Sequence, residues 1–362
     1  MSNYKTVFFI IGVLQIILGI FMAIPIFSQF IFSEIDSSFI TSSAITLVFG
    51  VLFVLSNLDY EKKINLKQAF LLTTLSWLTI AIFGSLPFYF SDLNISFTDS
   101  FFESMSGLTT TGSTIISNLE LAPKSVLLWR ALLQWLGGIG IIVMAITLMP
   151  IMNIGGMLLF KVLNTDSSEE ILKSSKEISL KLILIYFVLT FLCALAYKIF
   201  GMGYFDSLTH SMTTIATGGF SNYNESIGHF NNVKIEITAM LFIILGSLQF
   251  IAYIKFLNGN RKIFLNDSQI KTFIKLIIIS VLILFFYLFI EIEDFSLKDF
   301  RYISFNSISI LTGTGYVTGK FDQWGSFSLF FFLILMFIGG CAGSVSYTHL
   351  RAHETPEHLV CR

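Results

Sequence analysis

Apolar residues fall into long runs along the chain, separated by polar stretches of two distinct kinds. Runs near 7–32, 37–57, 69–90, 125–150, 180–200, 234–255 and 272–291 each reach the roughly 20 residues that a helix needs to cross a bilayer. An eighth, near 327–344, is shorter and stops abruptly. The first run is longer than the roughly 7–15 residues of a signal-peptide core, so it reads as a membrane helix that is kept. The pattern predicts an all-α integral membrane protein.

The polar stretches differ in length and charge. With the N-terminus inside, the cytoplasmic connections receive twelve basic residues, among them Lys62, Lys161, Lys255 and Lys275. The outer segments receive six: Lys124, Lys198, Lys234, Lys298, Arg301 and Lys320. That bias predicts a cytoplasmic N-terminus. The outer segments, 91–124, 201–233 and 292–326, each hold an apolar Ser/Thr/Phe stretch too short to span, then a Thr/Gly string. Such a segment reads as a re-entrant loop: a half-helix entering the membrane and extended backbone leaving it.

The three segments repeat one another. Aligned without gaps, residues 99–113, 206–220 and 302–316 bring Ser104, Ser211 and Ser307 together. Met105, Met212 and Ile308 then coincide, as do Ser106, Thr213 and Ser309. At the far end this register selects Gly112, Gly219 and Gly315, in preference to Gly218 and Gly313. Repeats of about 100 residues are a mark of membrane transport proteins. Thr and Gly suit ion passage because a dehydrated potassium ion needs oxygens in place of its water shell. Backbone carbonyls aimed at one axis supply them, and glycine adopts the dihedral angles this demands. The half-helix adds its partially negative C-terminal end. The plainer explanation, small residues for close helix packing, fits a single Thr-Thr-Thr-Gly but not three copies in register.

Composition sharpens the class. Hydrophobic residues make up 54% of the 362 and charged residues 12%, about half of what soluble domains carry, with a mean hydropathy of +0.80. A net charge of −1 gives no basic stripe for nucleic acid. Cys193, Cys341 and Cys361 lack metal-site or disulfide spacing and read as small hydrophobes. Within the pore segments, His210 reads as a hydrogen-bonding residue. Arg130 reads as a brace or a snorkelling side chain, and Glu103 either enriches cations at the mouth or bonds backbone amides. No set of paired acids, histidines or nucleophiles shares one membrane depth, so an enzyme is not expected.

The stretches FFESMSGLTTTGST (101–114), LLQWLGGIGIIV (132–143), IATGGFS (215–221) and FIGGCAGS (337–344) resemble the Trk/Ktr/HKT superfamily of potassium transporters. The likeness covers 1–344 and is closest to the TrkH-type members, which carry two extra N-terminal helices. It implies four helix–pore loop–helix repeats around a pseudo-fourfold pore, three of them here. The divisions would be 1–64 (two N-terminal transmembrane helices), 65–160, 161–260 and 261–344 (repeats one to three, the third truncated). It implies a selectivity filter of Thr110, Thr111, Gly112, Thr217, Gly218, Gly219, Gly313, Thr314 and Gly315. Gly315-Tyr316 echoes the Gly-Tyr of potassium channels. Gly339, Gly340 and Gly343 would begin a gating loop below the filter. The implied cargo is potassium, with sodium or a proton as possible co-ion. The implied partners are a TrkA-like cytosolic nucleotide-binding subunit and a second copy of the chain, in a bacterial inner membrane. Repeat two departs from the pattern at Gly246-Ser247-Leu248-Gln249, where an asparagine is expected near the glycine.

Residues 345–362, VSYTHLRAHETPEHLVCR, break the pattern altogether. They resemble translated sequencing adapter and are expected to be a non-native tail, with His349, His353 and His358 on no rigid element that would make them metal ligands. Three strips do not close a fourfold ring. The alternatives to potassium transport are therefore a non-conducting fragment of such a transporter and, in another class, a polytopic membrane enzyme.

Overall fold

The computed structural model describes residues 4–34, 36–60, 65–152, 168–291, 294–341 and 344. Gly343 and the tail 345–362 lie outside the described residues, as does Cys361. Among the described residues the chain is helical and contains no strand. Five helical spans there are long and apolar enough to cross a membrane: Lys5–Phe32, Ser38–Ser56, Lys67–Phe90, Glu177–Ile199 and Ser268–Glu291. A bent pair, Val233–Ser247 with Phe250–Leu257, can make another. Large apolar side chains such as Phe30, Leu184, Phe191 and Ile290 stand exposed on these helices, while Glu103, Arg130, Gln134, His210 and Asn306 are buried. An apolar exterior around a polar interior is the arrangement a bilayer imposes on a protein with a polar path. The chain is a multi-pass membrane protein.

The N-terminal pair comprises α1 (Lys5–Phe21) with its continuation α2 (Ala23–Phe32), and α3 (Ser38–Ser56). The span expected over 7–32 breaks at Met22, because Pro25 has no N–H to offer the Phe21 carbonyl. Glycines let α1 and α3 approach: a Cβ on Gly12 would stand 2.8 Å from the Gly50 carbonyl. Glu34, beyond α2, accepts from the Lys124 and Ser125 backbone N–H groups at 2.6 and 3.2 Å, placing a carboxylate on the N-terminus of the helix that begins at Lys124.

Three units of outer helix, short pore helix and inner helix follow. The first is α4 (Leu66–Phe90), α5 (Phe97–Leu108) and α6 (Lys124–Met152). The second is α7 (Ser168–Ile199), α8 (Tyr204–Ile215) and α9 (Val233–Ser247), which continues as α10 (Phe250–Leu257). After the four-residue α11 (Ile263–Asn266) come α12 (Ser268–Glu291), α13 (Leu297–Leu311) and α14 (Ser326–Met336).

Two further apolar runs, one expected to span and one already too short to, are not continuous helices. The run 234–255 is not one helix: α9 and α10 meet at 87°. Leu248 is extended there, and Ser247 turns its hydroxyl back onto the Ile243 carbonyl at 2.8 Å, a bond that bends helices. The carbonyls freed at the break find donors, Ser247 O from the Cys341 N–H at 3.1 Å and Leu245 O from the Tyr253 hydroxyl at 2.7 Å. The run 327–344 stays helical only to Met336, because Gly339 takes a φ of 70° that ends the helix.

Candidate functional site

The first two pore helices are 12 residues each and start in register, the third is 15 residues and starts earlier, and all three end at equivalent positions, Leu108, Ile215 and Leu311. Each closes with the same pair of bonds. Thr110, Thr217 and Gly313 donate to the carbonyls of Gly107, Thr214 and Ile310, and Thr111, Gly218 and Thr314 to those of Ser106, Thr213 and Ser309. This is a Schellman ending, which requires a left-handed residue just past the helix. Thr110, Thr217 and Gly313 occupy that place, with φ of 57°, 48° and 72°. Two residues on, Gly112, Gly219 and Gly315 are left-handed again, with φ of 82°, 74° and 82°. Alternation of hand turns successive carbonyls to one side of the strip, the geometry a ring of ion ligands needs. A β-branched threonine at positive φ is strained, so Thr110 and Thr217 hold a conformation that only glycine takes without cost.

The strips converge. A Cβ on Gly112 would overlap the Gly218 carbonyl and lie 3.7 Å from the Thr314 carbonyl, and a Cβ on Gly219 would overlap the Thr314 carbonyl. Each glycine thus abuts the middle carbonyl of the next strip. In the same direction from Gly315, no described residue lies within 4 Å. The inner helices make room for this meeting. Gly137 on α6 faces the Leu108 carbonyl so closely that a Cβ would overlap it, and Gly246 on α9 would place one 2.8 Å from the Ile215 carbonyl.

A column of buried polar side chains, one residue before each anchor serine, pins the backbone that leaves each strip. Glu103 accepts from the Ile115 N–H at 2.9 Å and the Thr114 hydroxyl at 3.0 Å. Asn306 accepts from the Thr318 N–H at 3.1 Å and donates to its carbonyl at 2.5 Å. His210 pairs Nε2 with the Ser221 hydroxyl at 3.0 Å and Nδ1 with the Asp206 carbonyl at 2.9 Å, so it is a structural residue, as expected. Of the two roles considered for Glu103, bonding the backbone is the one realised; it is fully buried and faces no mouth.

Neighbouring strips are tied to one another. Arg130 is 1% exposed, so it braces and does not snorkel. Its Nε meets Glu103 Oε1 at 2.7 Å, its Nη1 donates to the Ser221 carbonyl at 2.8 Å, and its guanidinium lies 4.0 Å over the Phe220 ring. One turn along α6, Gln134 donates to the Gly218 carbonyl at 2.6 Å and accepts from the Phe220 N–H at 3.1 Å. Strip three is held from the second repeat. The Tyr316 hydroxyl lies 2.5 Å from the Thr213 hydroxyl, and Val317 accepts from the Gly228 N–H at 3.1 Å and donates its own N–H to the Ser226 hydroxyl at 3.2 Å. Farther out, Glu120 accepts from the Asn224 N–H at 2.9 Å and its side-chain amide at 2.7 Å. The Asn224 N–H holds the Glu120 carboxyl below the usual carboxylate range.

Of the expected gate residues, Gly339 and Gly340 are described and lie where Cys341 docks on the α9–α10 break. Cys193 and Cys341 are buried, as small hydrophobes should be. Gln134 and the column-mate Asn306 were not singled out by sequence. Glutamate, histidine and asparagine share a place in register but not a residue type, and Gln134 serves a strip 84 residues away.

Half-helices that end on a shared polar centre, inside a shell of lipid-length apolar helices, define a pore-loop membrane transport protein. The TrkH family model, described as cation transport protein, matches residues 35–349, and the chain belongs to that family. It is 37% identical over 339 residues to the Trk system potassium uptake protein TrkI of Halomonas elongata, covering 93% of this chain and 69% of the relative. It is 34% identical to the Trk system potassium uptake protein TrkH of Vibrio parahaemolyticus, over 94% of this chain and 72% of the relative. The crystal structure of the potassium transporter TrkH from Vibrio parahaemolyticus superposes with a TM-score of 0.86 at 32% identity, over 95% of this chain and 72% of that one.

Proposed function

We propose that the protein passes potassium ions across the membrane, as the pore-forming subunit of a Trk-type uptake system. The filter carbonyls would belong to Thr110, Thr111, Gly112, Thr217, Gly218, Gly219, Gly313, Thr314 and Gly315. The observation that carries this reading is the left-handed alternation at two equivalent positions in each of three strips, whose carbonyls and glycines meet. Such alternation exposes oxygens to a common space, and oxygens without water suit a dehydrated monovalent cation. A fourth strip, facing Gly315, would close the ring. Residues 65–160, 161–260 and 261–344 each supply one quarter of it. Gly339, Gly340 and Gly343 would begin the gate, and beside Gly339 and Gly340 the Cys341 N–H bonds the Ser247 carbonyl. By family likeness and basic-residue bias, the protein sits in a bacterial inner membrane with its N-terminus inside, pairs with a second copy and docks a TrkA-like nucleotide-binding subunit.

The test is growth of a potassium-uptake-deficient bacterium at low potassium, expressing the full-length protein. Growth should be restored, and lost when Gly112 or Gly219 is replaced by a bulkier residue. Growth that survives both replacements would overturn the filter assignment.

A further inference from the structure

The middle residue of a strip is threonine in repeats one and three, and its hydroxyl pairs with a threonine two residues earlier. Thr109 and Thr111 meet at 2.8 Å, and Thr312 and Thr314 also at 2.8 Å. The equivalent residues of repeat two are Ala216 and Gly218, which can form no such pair. The space a side chain on Gly218 would fill is occupied: a Cβ there would overlap Gln134 Cδ and stand 2.6 Å from Oε1. Gln134 is fully buried, and both ends of its amide are used on strip two, Nε2 on the Gly218 carbonyl and Oε1 on the Phe220 N–H.

We propose that Gln134 is a positioning residue for ion selection, a brace lent by repeat one that replaces the missing threonine pair of repeat two. The inference rests on the filter reading above and deepens it. Gln134 sets the orientation of one carbonyl plane in strip two, at Gly218, from outside the strip. An amide suits this because it donates and accepts at once, spanning the carbonyl of one residue and the N–H two residues on. A strip held by a neighbour's side chain is rigid only while that neighbour stays in place, so selection at strip two depends on the seating of α6.

The test uses the full-length protein in proteoliposomes, with the ratio of rubidium to sodium uptake as the readout and melting temperature in detergent as the control. Gln134→Ala should lower the ratio by roughly tenfold, the factor carried by about one lost hydrogen bond to the strip. Gly218→Thr should lower both ratio and melting temperature, since the new side chain overlaps Gln134. The triple change Q134A/A216T/G218T rebuilds in repeat two the pair seen in repeats one and three. It should recover both readouts relative to Gly218→Thr. An unchanged ratio in Gln134→Ala, or a triple variant no better than Gly218→Thr alone, overturns the proposal. Gly219→Ala separates the two levels of failure: if it too leaves the ratio unchanged, the filter reading itself fails, and if it abolishes selection while Gln134→Ala does not, only the brace does.

Discussion

Removing the Glu103 carboxylate should be among the most damaging single changes outside the strips. The side chains of Glu103 and Arg130 are 0% and 1% exposed, and they meet at 2.7 Å. Truncation in Glu103→Ala strips Arg130 Nε of its acceptor and leaves a guanidinium buried without a counter-charge. It also frees the Ile115 N–H and the Thr114 hydroxyl. Breaking a buried pair from one side costs about 3–5 kcal/mol. Asn306→Ala, in the same column of repeat three, leaves the Thr318 N–H and carbonyl unpaired but no charge, at about 1–3 kcal/mol. The double variant E103A/R130M removes both charges, and a coupling of about 1–3 kcal/mol should make it more stable than Glu103→Ala with a native Arg130. Unfolding of the purified protein in mixed micelles, followed by tryptophan fluorescence, measures all of these. If Glu103→Ala costs no more than Asn306→Ala, and Arg130→Met brings no recovery, the pair is not the anchor of strips one and two.

Three further outcomes follow from local geometry. Gly137→Ala drives a methyl into the Leu108 carbonyl and should cost at least about 1–3 kcal/mol in the same unfolding assay, whereas Gly140→Ala, one turn along α6 with open space around it, should stabilise by up to about 1 kcal/mol. Thr217→Gly relieves a left-handed threonine and should change stability by less than about 1 kcal/mol, whereas Thr209→Gly, in the pore helix and bonded by Asn222, should cost more. The Glu120 link between outer loops is favoured by ionisation: a carboxyl lowered in the folded state contributes above its unfolded value of about pH 4.3 and is lost as pH falls through the folded value. Protection of the Asn224 amide, its exchange rate relative to the intrinsic rate at each pH, should therefore fall on acidification below that value in the native protein but show no such step in Glu120→Gln.

Much of the site was legible because the repeat is carried by residue types. The serine column set the register, and the register chose Gly112, Gly219 and Gly315 over their neighbours; all three are left-handed, and the rejected Gly218 is not. Gly313 is left-handed as well, for a separate reason, since it closes the Schellman ending that Thr110 and Thr217 close in the other repeats. What sequence did not reveal is of two kinds. Breaks inside apolar runs leave no trace in hydropathy: the 87° turn after Ser247 sits in a stretch still apolar enough to cross a membrane, and Gly246 with the Ser247 back-bond is its local cause. Braces that cross between repeats have no fixed spacing. Arg130 stands out in sequence because an arginine within a span must either snorkel or find a partner, and the structure selects the partner; neutral Gln134 carries no such signal, and Glu103, His210 and Asn306 share a task without sharing a chemistry.

The central claim is that three equivalent strips present carbonyls to one dehydrated cation. Anomalous diffraction from crystals of the full-length protein grown in rubidium tests it most directly. The account predicts a rubidium peak among the carbonyls of residues 110–112, 217–219 and 313–315, absent when Gly219 is alanine. A map with no peak between the strips, or with its rubidium held elsewhere in the helical shell, would contradict it.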